Sequence, residues 1–393
     1  MELGTFNSSA EPAMKSVATH PRRGFTLVEL LMVITIIGML MALLVAGVMR
    51  ALVTAKIARI TVEAGMLDTG VQNYKNEIGG DYPPDCSFLG TTQQWVDVRN
   101  NRILAHLRKA FPRFYVSGYG NTSGPVSAQG TLQYAVQQAF KDYDAASPPL
   151  PYPATTPNGA SVWGDLNNLD QAESLVFWLG GLPAPPVLNT TSNTYSFRLA
   201  GFSANKLQPF NLIDGSRLKG PFEFQEQRFG DADGDGWLEY YPPVDLPPQP
   251  TGSSAAQPGN ATAPYVYFNA GSYADVTPSN GFPAYPSSGQ YPAVTGGSMP
   301  VFPSNSYASL WGAAIPYANA YNISTTPAQL TWFNPEKFQI VSASLDSMYW
   351  SLTTGASSGP DDFRVFPSGT HYSQADLDNV TNFSNGKLQD SLP

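Results

Sequence analysis

Asp231-Ala-Asp233-Gly-Asp235-Gly-Trp-Leu-Glu239 holds the most explicit chemistry in this 393-residue chain. Carboxylates at alternate positions, with a glycine after the third, let a short loop turn oxygen ligands onto a hard cation. This is the opening half of an EF-type calcium loop. The bidentate glutamate expected at position twelve is missing, because Pro242 stands there. Glu239 is the substitute, with the backbone carbonyl of Trp237 as a further ligand. Calcium is therefore the expected cofactor, ahead of an unliganded acidic turn. Magnesium fits less well, since it usually keeps its waters.

Glu29 poses a different chemical question. It is the only formal charge between Phe25 and Met49. A helix rises ~1.5 Å per residue, so ~20 residues cross a hydrocarbon layer of ~30 Å and this run is long enough. A carboxylate inside it is expensive and needs a reason. Arg22 and Arg23 directly precede the run and would hold that end in the cytoplasm. A plain signal anchor, or a secretory signal with a tolerated acid, would share these features. No small-x-small cleavage site follows the apolar core closely, which counts against ordinary secretory cleavage.

Gly24-Phe25-Thr26-Leu27-Val28-Glu29-Leu30-Leu31, after basic residues and ahead of an apolar run, resembles the type III signal of type IV pilins and type II secretion pseudopilins. The resemblance implies that a prepilin peptidase cuts after Gly24 and that Phe25 becomes the N-methylated terminus. Met14 offers a shorter start to the leader. The resemblance further implies single-pass insertion in a bacterial inner membrane, with the head in the periplasm. Homologous subunits and an inner-membrane assembly platform would be its partners in a periplasmic or cell-surface filament. Glu29 would pair there with the Phe25 ammonium of a neighbouring subunit and set the stagger. A charge pair in low dielectric is far stronger than in water, and leaving one partner alone is costly.

The C-terminal region resembles the end of major pseudopilins, where a strand, a Ser-x-Gly-x-Asp-Gly loop and an Ala-Asp-Ile-x-x-Trp segment bind one calcium. The matching residues are Phe338-Gln-Ile-Val-Ser342-Ala-Ser-Leu-Asp346-Ser and Ala375-Asp376-Leu-Asp378-Asn379. Carried over by motif, Asp346 and either Asp376 or Asp378 would be ligands. Ser344 and Ser347 replace the glycines of that loop. Asp361-Asp362, in the insertion between the two halves, is a competing ligand.

Other chemistry is sparse. No nucleophile motif accompanies His106 or His371, and His106 reads as structural. Paired carboxylates alone are compatible with glycosidase chemistry, but these acids have calcium-like spacing, so no enzyme is expected. Cys86 is the single cysteine and excludes an intrachain disulfide. It reads as a half-buried, unreactive side chain. Losing residues 1–24 removes Lys15, Arg22 and Arg23 but also Glu2 and Glu11, moving the net charge from −9 to −10. An acidic chain with few cations argues against nucleic acid as a partner.

The elements that must position these residues follow from periodicity. No proline occurs between Phe25 and Pro83, so one helix of ~55 residues, or ~80 Å, is expected. Beyond Arg50, the residues Val53, Ile57, Ile60, Ala64, Leu67, Val71, Tyr74 and Ile78 form one apolar face. Arg59, Glu63, Asp68, Gln72, Lys75 and Glu77 occupy the remainder. Gly79-Gly80 stops the helix and Pro83-Pro84 prevents its resumption. Helices are also expected from Trp95 to Ala110, from Leu132 to Tyr143, and after a capping box at Asp170-Gln-Ala-Glu173. Strands are expected at Thr194–Phe202, Phe222–Phe229, Pro264–Asn269 and Lys337–Ala343. Long Pro/Gly/Ser/Asn stretches at 243–263 and 271–331 read as loops.

With 35 glycines, 35 prolines and 13% charged residues, the head reads as loop-rich and β rather than helical. The expected class is α+β. Its divisions are a leader (1–24), the long helix (25–80, of which 25–49 is the membrane or filament core), a helical insertion (81–190) and a β-rich head (191–393). The competing reading is a membrane-tethered periplasmic binding module or enzyme that uses the signal only as an anchor.

Overall fold

The computed structural model describes residues 24–86, 102–103, 105–113, 169–184, 186–189, 191, 194–207, 209–210, 215–232, 236–244, 262–273, 293–294, 297–298, 302, 311–322, 329–349 and 363–393. The leader before Gly24, the helix expected over Leu132–Tyr143, and the Asp361-Asp362 pair lie outside these residues. Much of the two long loop regions does too.

The chain divides into two units, one ending at Val53 and the other starting at Thr54. Helix α1 (Leu27–Tyr74) runs through both. In the first unit its side chains are exposed all round, including Leu30, Ile34, Leu40 and Leu44. This is a helix long and apolar enough to cross a membrane.

In the second unit the helix buries one face: Ile60, Glu63, Ala64, Leu67, Gly70, Val71 and Tyr74. Ile57 and Ile78 pack at its margins, whereas Val53 is exposed. The α-helix ends at Tyr74 and passes into one π turn, Lys75–Gly79, closed by Gly80 N–H donating to the Lys75 carbonyl at 2.8 Å. Gly80 adopts φ 71°, where a side chain is disfavoured, so the glycine stop falls where expected.

A short strap follows. The Pro83 carbonyl accepts from Tyr267 Oη (2.7 Å) and from Asn269 Nδ2 (2.7 Å). The Pro84 carbonyl accepts from Trp178 Nε1 (2.8 Å). Asp85 accepts from the Asn269 N–H (2.8 Å) and from Ser272 Oγ. Cys86 is buried. Residues 105–110 are helical and bring His106 against Tyr74.

Helix α2 (Gln171–Gly180) carries the expected capping box. Asp170 accepts from the Ala172 and Glu173 N–H groups, and Glu173 accepts from the Asp170 N–H. Its end is set by Gly181 at φ 87°. A Cβ there would meet the Phe202 nitrogen at 2.5 Å.

Strands β1 (Val187–Asn189) and β2 (Thr194–Ser196) form a hairpin, as do β3 (Phe229–Gly230) and β4 (Glu239–Tyr240). The central sheet has the order β11-β10-β5 and is antiparallel, with β5 at Val266–Asn269, β10 at Phe338–Ser342 and β11 at Val380–Thr381. A four-residue helix α3 (Ala270–Tyr273) follows β5 directly. The pairs β6 (Ala293–Val294) with β7 (Gly297–Ser298), and β8 (Ala318–Asn322) with β9 (Gln329–Trp332), complete the strands.

Alternation along the central strands explains the core. Tyr265, Tyr267, Phe338 and Ile340 belong to the cluster that takes in α1 and α2. Val266, Phe268 and Val341 belong to a second cluster with Trp311, Tyr317, Trp332, Phe363 and Phe366. Successive residues of a strand point to opposite faces, so this sheet is covered on both. Gln339 bridges it to the second layer: its amide donates to the Tyr317 and Phe333 carbonyls and accepts from the Tyr317 N–H.

The class is α+β. Two of the expected strands are shorter than read. Thr194–Phe202 is a strand only over Thr194–Ser196, followed by an isolated antiparallel bridge between Leu199 and Pro183, and Phe222–Phe229 pairs only at Phe229, after a 3-10 turn at Glu226–Arg228. In the second case the aromatics gather rather than alternate: Phe224 lies 4.8 Å and Phe222 6.1 Å from the Tyr240 ring.

Candidate functional site

At the helix start, Gly24 and Phe25 are exposed, Phe25 at 80%. The Thr26 N–H and hydroxyl both donate to Glu29 Oε2 at 2.9 Å. The Glu29 N–H donates back to Thr26 Oγ1 at 3.2 Å. This reciprocal capping box occupies the acid within its own chain and satisfies N–H groups that have no partner inside the helix. Sequence reasoning singled out Glu29 and passed over Thr26, although Thr26-Leu-Val-Glu29 carries the spacing that announces it.

The hairpin of β3 and β4 presents the first acidic loop. Asp231 and Glu239, both buried, stand on opposite sides of its base. Asp231 Oδ2 accepts from the Gly236 N–H at 3.1 Å, and Glu239 accepts from the Ala232 N–H at 3.1 Å. Asp233 and Asp235 lie outside the described residues. Among the described residues no three acids, histidines or cysteines converge as a metal cluster.

The C-terminal acids are sorted by the fold. Asp376 is fully buried; its Oδ1 accepts from Arg364 Nε at 2.8 Å, and its Oδ2 accepts from the Ser373 N–H and hydroxyl. Asp378 lies instead beside Asp346, within hydrogen-bonding reach. Partial burial, with the charges of Asp378 and Asp376 added, pushes the Asp346 carboxyl up to about 7. One flank of Asp346 stays in solvent, which screens this effect. Burial also raises Asp378, against the pull of Lys387 and nearby backbone N–H groups, and its buried Oδ1 has no hydrogen-bond partner.

Ser344 and Ser347, which stand for glycines, adopt φ 55° and 59°. The loop therefore keeps a left-handed backbone that serine rarely takes.

One site escaped the sequence reading altogether. Glu63, assigned to the polar side of α1, is buried and meets Arg228 through two contacts of 2.5 Å each. Tyr240 Oη (3.0 Å) and Tyr265 Oη (2.8 Å) also donate to its carboxylate. Arg228 donates in addition to the Tyr241 carbonyl and lies 4.3 Å over the Tyr240 ring. Burial, aided by the Glu63 charge, pushes the Tyr265 hydroxyl far above its ordinary range. The helical spacing that defines the stripe leaves Glu63 at its edge, where a charge ordinarily faces water.

Comparison with known families decides the helix start. Residues 19–45 match the family model described as the prokaryotic N-terminal methylation motif. The chain carries a prepilin-type N-terminal motif. No curated protein and no solved structure matches the chain. The motif thus covers Gly24, Phe25, Glu29 and most of the apolar run, and extends no further.

Proposed function

We propose that this chain is a structural subunit of a type IV pilus-like or type II secretion pseudopilus filament. The observation that carries the reading is the methylation motif at residues 19–45, set on an exposed apolar run whose one acid, Glu29, closes the capping box at the helix start. On this reading a prepilin peptidase cuts after Gly24, and Phe25 is N-methylated. The protein waits in the inner membrane with its head in the periplasm. An assembly platform then adds it to homologous subunits, and α1 up to Met49 enters the filament core. There Glu29 exchanges the Thr26 donors for the ammonium of a neighbouring Phe25 and sets the stagger.

Calcium belongs to this reading as the brace of the head. Asp346 and Asp378 fit it best: two close carboxylates with raised proton affinity, one bearing a buried oxygen that lacks a donor. The Arg364 guanidinium already neutralises Asp376. Asp231 and Glu239, with Asp233 and Asp235, would form the second calcium loop.

The decisive experiment is the N-terminal peptide mass of protein recovered from membranes and from sheared surface material. The expected terminus is Phe25 carrying one methyl group. An intact leader, or a cut beyond residue 45, would overturn the reading in favour of a tethered module. In a strain that assembles the filament, Glu29→Ala is expected to be inserted and cleaved normally and to reduce filament yield at least tenfold.

A further inference from the structure

The buried stripe of α1 is nearly self-similar. Ile57, Ile60, Ala64, Leu67, Val71, Tyr74 and Ile78 follow at alternating steps of three and four. Sliding the helix seven residues toward the N-terminus would therefore set Ala64, Leu67, Val71 and Tyr74 where Ile57, Ile60, Ala64 and Leu67 stand. Apolar burial is non-directional and distinguishes such registers poorly.

Two positions break the repeat, and they are themselves seven apart. The site of Glu63 supplies four donor groups: two guanidinium nitrogens and the hydroxyls of Tyr240 and Tyr265. The site of Gly70 is tight, since a Cβ there would stand 3.1 Å from Phe222 Cβ. A seven-residue slide toward the N-terminus brings Gly70 to the first site and leaves the second beyond the end of the helix. Both tyrosine hydroxyls then lose the Glu63 carboxylate, and Arg228 keeps only the Tyr241 carbonyl. The opposite slide brings Lys56 against Arg228 and Glu63 against Phe222.

The slide is otherwise within reach of the chain. It needs ~10.5 Å at ~1.5 Å per residue. Unwinding Lys75–Asp81, which includes the π turn, from ~1.5 to ~3.3 Å per residue yields ~12 Å. The strap from Pro83 to Asp85 holds its own anchors and need not move.

We propose that Glu63 and Gly70 together encode the register of α1 on the head, with Arg228 as the reader of the code. A buried ion pair seldom adds net stability over an apolar replacement of similar volume, whereas it can select one arrangement among several. Here the selected arrangement is the one in which the π turn stays wound.

The test uses the full chain in detergent, in a Cys86→Ala background, with a short bis-thiol cross-linker. Asn382 Nδ2 donates to Asp68 Oδ1 at 2.6 Å, so Asp68→Cys with Asn382→Cys reports the native register. Lys75→Cys with Asn382→Cys reports the shifted one. In Glu63→Leu/Arg228→Met the 75–382 product is expected to rise at least fivefold and the 68–382 product to fall, while the thermal transition persists. The milder Glu63→Gln, which keeps shape and acceptor, should move the ratio in the same direction by about twofold. A wild-type ratio in Glu63→Gln, together with a wild-type ratio or no folded state in the double variant, would overturn the proposal. The pair would then be structural only.

Discussion

His106 packs its ring centroid 5.6 Å from that of Tyr74 in a stacked arrangement and 5.0 Å from that of Trp178 edge-on, with Nε2 3.1 Å from the Tyr74 hydroxyl. Burial lowers its pKa to about 4, so the folded protein holds it neutral. The unfolded chain, with an ordinary histidine near 6.5, binds the proton more readily. Stability from this group is thus complete above pH ~6.5 and lost as pH falls toward about 4, up to about 3 kcal/mol. Urea unfolding between pH 4 and 7 should show that slope, and His106→Phe should flatten it. The structural role of this histidine was legible, because nothing near it in sequence resembled a catalytic partner. Glu29 was legible as a lone charge in an apolar run. Glu63 was not, because its partners, Arg228 and Tyr265, lie 165 and 202 residues away and nothing local marks them.

At the scale of elements, signals that act within a few residues were the readable ones. The capping box of α2, the glycine stop after α1 and the following prolines each set their own boundary. Asp170→Ala removes the acceptor for two N–H groups and should cost about 1 kcal/mol. Chemical denaturation would register it, and Asp170→Ser should restore most of the loss. The Phe222–Phe229 segment was misread because its aromatics satisfy the strand pattern equally well when they collect around Tyr240. The π turn carries no propensity signal. It arises where a helix seated at Glu63 and a strap held by Trp178 and Tyr267 must meet.

For the whole molecule, the calcium proposed for the head predicts an effect on stability. If Asp346 and Asp378 hold calcium, saturating calcium should raise the melting temperature of the head, by an amount equivalent to about 2.7 kcal/mol at a hundredfold excess over the dissociation constant. Asp346→Asn/Asp378→Asn should abolish most of that rise and leave the chelator-treated melting temperature unchanged or higher. Calorimetry with and without chelator decides it. That Asp376 pairs with Arg364 while Asp378 lies beside Asp346 was not readable, because Arg364 comes from the intervening insertion.

The face of α1 also orders events during synthesis. Glu63 leaves the ribosome long before Arg228, Tyr265 and Asn382, the last of which touches Asp68 across 314 positions of chain. Contacts so distant in sequence form slowly. Until they form, the helix has an uncovered apolar stripe and an acid without its cation. A nascent chain of this kind is most exposed to aggregation in the interval before its final residues emerge. Truncation near the C-terminus would therefore strand the helix in that state, even though every residue of the helix itself is intact.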